Sequence, residues 1–182
     1  MKKFLAFVFI LAVGLAIFSA CEKDDICPGD TLTTPYLNIG FYNFNNQDAF
    51  KSATKLRIVG IDSTGYAEII NTFTDRSNQT QVSIPLNTAV NYSQFIFTFN
   101  SRDDEETAEE LGNQDTLQFN YTRQEYFISR GCGYGVNFTD LATIINPAYK
   151  DTVQNTEEWI IAAFDQETNL QNQDTIHVKI YH

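Results

Sequence analysis

Five segments of this chain alternate apolar and polar residues with a period of two. That pattern constrains the fold more than any other feature. "PYLNIGFYNF" sets Leu37, Ile39 and Phe41 on one face. "KLRIVGI" sets Leu56, Ile58 and Gly60 against Arg57, Val59 and Ile61. "SQFIFTFN" groups Phe95, Phe97 and Phe99, and "TLQFNYT" groups Leu117, Phe119 and Tyr121. "TIHVKIY" sets Ile176, Val178 and Ile180 against His177, Lys179 and Tyr181. A half-buried strand needs this alternation, because successive side chains leave opposite faces of the pleat. "QVSIPL" and "WIIAAF" are shorter apolar runs that also read as strands, and Pro85 makes the first either an edge strand or one that ends soon. Turn signals separate the runs: "DSTG" at 62–65, "DRSN" at 75–78 and "NQD" at 113–115. Two places suit a short helix, "DDEETAEELG" closed by Gly112 and "FTDLATIINPAYKD" ended by Pro147. The expected fold class is all-β: an antiparallel β-sandwich, immunoglobulin-like or transthyretin-like. One domain is expected over residues 34–182.

The N-terminus has a different grammar. Lys2 and Lys3 precede an apolar run from Phe4 to Phe18. This run is too short for a spanning helix, which needs about 20 apolar residues, and it suits a signal peptide over residues 1–20. Ser19 and Ala20 lead into Cys21. "IFSAC" resembles the bacterial lipobox, which implies acylation of Cys21 and a lipidated tether over residues 21–33. Buried acyl chains contribute about 0.8 kcal/mol per CH2, so two or more of them hold a protein on a membrane. Lys23, Asp24 and Asp25 resemble the surface-export signal of Bacteroidota lipoproteins. The other reading of these residues is a short solvated linker. The expected location is the outer membrane, lipid-anchored, facing the surface or the periplasm.

Removing the two N-terminal lysines leaves ten basic residues against 23 acidic ones, a net charge of −13. Such a chain is a poor match for a phosphate backbone, so no nucleic-acid partner is expected.

Cys27 and Cys132 are the remaining cysteines. Export puts them in an oxidising compartment, where two distant cysteines most often pair. A metal site would need two further ligands, and only His177 and His182 offer imidazoles. A catalytic thiol would need a positioned base that no nearby histidine suggests. A Cys27–Cys132 disulfide is therefore expected. The glycines of "RGCGYG", Arg130 to Gly135, lack a phosphate-loop ending; they suit close backbone approach beside that bond.

The candidates for chemistry are few. His177 reads as a surface residue beside Lys179, and His182 as a frayed chain end. Asp103, Asp104, Glu105, Glu106, Glu109 and Glu110 lack the spacing of a calcium loop and read as a solvated hairpin loop. Trp159 and Tyr134 are the aromatics weighed as glycan contacts, against the alternative that they fill the core. Thr31, Ser63, Thr116, Thr152 and Thr175 each follow Asp and precede or approach an apolar residue. These short runs resemble the O-glycosylation sequon of Bacteroidota exported proteins; the plain alternative is that Asp-Thr marks the start of a strand. No metal, cofactor or enzymatic activity is expected, and a small carboxylate-based hydrolase ranks last.

"DDICPGDTLTTPYLNIGFYN", "EYFISRGCGYGVNF" and "HVKIY" are together similar to a family of small Bacteroidota lipoproteins of unknown function. The resemblance implies an all-β lipoprotein with its two non-lipid cysteines paired and an outer-membrane protein as a neighbour. It implies no activity. The function expected is that of a binding or assembly module, with a surface glycan-binding module as the alternative.

Overall fold

A computed structural model describes residues 26–29, 31, 33–62, 64–65, 67–147 and 158–182. The expected signal peptide, Cys21, Lys23, Asp24, Asp25, Ser63 and Thr152 lie outside these residues.

Among the described residues, eleven strands form two sheets. The first sheet has β1 (Leu37–Asn43) at its centre. On one side β1 pairs in parallel with β11 (Val178–Tyr181), which pairs in turn with β10 (Ala162–Asp165). On the other side β1 meets β6 (Gln81–Ile84) along its first half and β2 (Asn46–Phe50) along its second. The parallel β1–β11 pair departs from the antiparallel sheet expected: the last strand pairs antiparallel with its sequence neighbour β10 on one side and runs parallel to the first strand on the other. The second sheet runs in the order β4 (Ala67–Ile69), β3 (Ala53–Ile61), β7 (Tyr92–Asp103), β8 (Glu110–Ser129) and β9 (Gly133–Ile145), with β5 (Ser77–Gln79) beside β3.

The alternating segments fill the space between the sheets. Leu37, Ile39, Phe41, Leu56, Ile58, Phe97, Leu117, Phe119, Val178 and Ile180 are buried. A buried Phe of this kind contributes about 3–5 kcal/mol against Ala, by lost transfer energy plus the cavity left behind. β6 stops at Ile84, and Pro85 follows with no amide hydrogen to extend the ladder.

Three expectations about local structure fail. "NQD" at 113–115 is no turn: it lies inside the twenty-residue β8. The bend falls earlier, at a bulge between Phe99 and Arg102. Gly112 serves that bulge with φ +141°, where a Cβ would meet Thr98 Cγ2 at 2.7 Å and the Phe99 carbonyl oxygen at 2.8 Å. The segment 138–145 is strand, not helix, because β9 continues to Ile145 against β8. Likewise "DDEETAEELG" is a turn flanked by strands: the Asp104 carboxylate accepts from the amides of Glu106 and Thr107, both at 2.9 Å. Those amides hold its pKa below the ordinary carboxylate value.

β9 is the last strand of its sheet, and its outer edge is covered by the chain after β10. Phe138 and Leu170 exchange backbone hydrogen bonds, and the Leu141 amide reaches the Thr168 carbonyl at 3.1 Å. The Asp165 carboxylate accepts from the Thr143 amide at 3.1 Å and from its hydroxyl at 2.5 Å. A row of unpaired amides is an aggregation hazard, and this strap removes it while joining the two sheets.

Candidate functional site

The two cysteines outside the tether are joined. The Cys27–Cys132 bond closes a separation of 105 residues with Cα atoms 4.6 Å apart. Cys132 sits at the turn between β8 and β9, the longest hairpin of the fold. The nearby glycines serve different ends: Gly133 takes a positive φ of +70° in the turn with open space around it, while Gly135 allows a close approach. A Cβ there would lie 2.3 Å from the Thr33 carbonyl oxygen, which the Val136 amide binds at 3.0 Å. The incoming chain and β9 touch backbone to backbone, and a side chain would part them.

Asp115 is a residue that the sequence pattern did not single out. It is 1 % exposed, and its carboxylate gathers three donors. The amides of Trp159 and Ile160 bind one oxygen at 2.8 Å each, and Asn146 Nδ2 binds the other at 3.0 Å. Asn146 has φ +47°, a backbone conformation that Asn tolerates better than most residues. Thr116 follows Asp115, but it sits half-buried inside β8, where Ile96 is its cross-strand partner. The loop-end position expected of a glycan acceptor does not hold for Thr116. Its Asp-Thr pair reflects a buried anchor instead. Thr175 is exposed, and Thr31 is half-buried with its amide on the Pro28 carbonyl at 3.1 Å.

The anchor carries Trp159 into the core. Its ring stacks on Phe99 at 5.2 Å, lies 6.2 Å from Phe41, and donates from Nε1 to the Phe97 carbonyl at 3.1 Å. No face is left for a sugar, so Trp159 is withdrawn as a glycan contact. His182 is not frayed: its ring packs edge-on against Trp159, Phe41 and Phe99. His177 is not at the surface either. It is fully buried, and its Nδ1 accepts from the Asn38 amide at 3.0 Å. The period-two pattern misplaced it because β11 begins only at Val178, and the loop before the strand folds over the ring. Burial lowers the pKa of both histidines and keeps them neutral. Tyr121 is buried too, with its hydroxyl donating to the Asn87 carbonyl at 2.8 Å, and desolvation pushes its pKa up to about 12.

Two regions keep aromatic surface outside. On the outer face of the first sheet, the exposed Phe50 stacks at 4.6 Å on Tyr42, which is itself buried beneath its neighbours, and Tyr42 lies 5.9 Å from the half-buried Tyr181. Lys179 Nζ sits 5.1 Å over the Tyr42 ring. Gly40 makes room for that ring, since a Cβ would meet Tyr42 Cε2 at 2.8 Å. Beside this row runs an open groove of about 870 Å³ lined by amide side chains, among them Gln81, Gln166 and Gln173. Asn38 holds its wall, donating from Nδ2 to the carbonyls of Gln173 at 2.7 Å and Thr175 at 3.1 Å. Asp174 is the one carboxylate among the described residues that line the groove. Neutral amides beside flat rings can receive hydroxyl and C–H surface; they offer no pair of facing carboxylates.

The second region is the hairpin tip. Tyr134 is 71 % exposed and Phe127 58 %, with ring centroids 5.5 Å apart. Among the described residues, no group of three or more His, Cys, Asp or Glu is placed to hold a metal ion.

The fold and its staple define a disulfide-closed, all-β sandwich domain. Its model-level match is specific: residues 55–182 fit the family of unknown function DUF6452, and the chain belongs to that family. Cys132 lies inside the matched stretch; Cys27, β1 and β2 precede it. No curated protein and no solved structure matches the chain.

Proposed function

We propose that this protein is a lipid-anchored envelope protein that binds or assembles with another component and catalyses nothing. One observation carries the reading. The disulfide consumes two of the three cysteines and leaves Cys21, behind an apolar run and Ser19-Ala20, as the remaining thiol. The bond also starts the folded domain six residues after that thiol, as a short tether requires. Lys23, Asp24 and Asp25 label the tether for export, and an outer-membrane protein is the partner. Palmitate labelling of cells expressing the full chain tests the anchor. The wild type takes up label and Cys21→Ala does not; an unlabelled wild type overturns the reading. Crosslinking in intact membranes then tests the partner, and recovery of no protein removes the assembly role.

A second reading, a glycan-binding surface, is favoured by the amide-lined groove and by Phe50, whose exposed ring is held flat on Tyr42. Titration with neutral oligosaccharides should shift signals from these residues, and Phe50→Ala should abolish the shift. Saturating sugar without any change would discard it.

A further inference from the structure

We propose that the tip of the β8–β9 hairpin is a shallow membrane contact that fixes how the domain stands on the bilayer. This rests on the anchoring of Cys21 proposed above. By strand alternation, Phe127 and Tyr134 continue the faces that carry Tyr121 and Phe138 into the core. The hairpin outruns the opposite sheet, so the same face that fills the core emerges uncovered. The two rings are register partners and meet edge to face. The other face of the tip is taken: Gly135 and Tyr126 lie against Thr33. Ile26, 80 % exposed, joins the tip through its neighbour Cys27, which is bonded to Cys132.

The occupant follows from chain length. Ile26 is five residues beyond Cys21, and five residues reach about 18 Å at full extension. An acylated Cys21 therefore keeps this apolar tip within one tether length of the lipid surface, whatever path the tether takes. Phe, Tyr and Ile suit the interfacial layer, where an aromatic ring buries its body and a phenol keeps its hydroxyl wet. Glu125 lies one strand step further in on the Phe127 side and is exposed, so the contact stops at the headgroups.

The full acylated chain, carrying Phe127→Trp, is reconstituted into phosphatidylethanolamine and phosphatidylglycerol vesicles with shallowly brominated acyl chains. Phe164→Trp, at an exposed position on β10, serves as the control. Flotation reads anchoring, and quenching beyond the Trp159 background reads tip contact. The expected result is flotation of both variants, with loss and blue shift of emission at position 127 and no change at 164. Flotation without quenching at 127 overturns the tip contact and leaves the anchor standing. A blue-shifted but unquenched reporter places the tip against a second copy of the chain, the only other protein in the vesicles, and also overturns it. Failure of the wild type to float removes the anchor and the inference together.

Discussion

Trp159 and the Phe127–Tyr134 pair share a residue class and have opposite fates. Trp159 stands outside every alternating segment, yet Asp115 draws its backbone into the interior and three aromatic rings close around it. Phe127 and Tyr134 obey the alternation and still end in solvent. The difference lies in the opposite layer. A side chain on the inner face is buried only where a second sheet lies across from it. Trp159 has that cover, and the tip has outgrown it.

The contrast can be broken at its strongest point first. Asp115→Ala should cost about 3 kcal/mol, because it leaves the buried amides of Trp159 and Ile160 without an acceptor. Urea unfolding should show it, with Trp159 emission shifting red. A loss near zero would mean that the aromatic cluster seats Trp159 without the carboxylate.

Next comes the staple. Replacing Cys27 and Cys132 with Ser should cost about 2–5 kcal/mol by freeing the unfolded chain. It should also raise amide exchange at the tip far more than around Trp159. Equal exchange in both regions would deny that the bond acts locally.

A graded effect of pH should follow, and it belongs to the Trp159 side alone. His177 and His182 have lowered pKa values in the folded state, so the unfolded chain takes up protons first. Stability is complete above the ordinary histidine value near 6.5 and falls as pH drops below it. Denaturation midpoints at pH 8 and pH 5 measure this, and the slope should shrink in a His177→Gln, His182→Gln variant.

The smallest effect is expected at the tip. Phe127→Ser with Tyr134→Ser should move stability by no more than about 0.5 kcal/mol, since both rings are exposed. A larger loss would show that the pair packs as core after all.

Much of this architecture was legible in the chain. Leu37, Ile39, Phe41, Leu56, Ile58, Phe97, Leu117 and Phe119 announced their faces, because burial on one side of a strand forces period two. The cysteine pair was legible because two distant thiols with no histidine-rich site or positioned base beside them have few fates other than pairing. Illegible were the features set by long-range partners. His177 is buried where the returning chain meets Asn38, 139 residues away in sequence, whose amide donates to its Nδ1. Asp115 looks like a turn residue, and only the returning chain at Trp159 and Ile160 gives its carboxylate a purpose. The row of Phe50, Tyr42 and Tyr181 draws on three strands, and the parallel pairing that assembles it has no local signal.

The disulfide also sets how this molecule answers force. A pull between an N-terminal anchor and the C-terminus enters through Cys27 and passes straight to Cys132. The covalent path skips the residues between them, so β1 to β8 cannot pay out as extended chain while the bond holds, although they still share load through their hydrogen bonds to β9 and β11. Only the 50 residues after Cys132 can pay out, a reach of about 180 Å at full extension. A reducing agent would lengthen that reach about threefold, so the bond limits how far the chain can pay out under load.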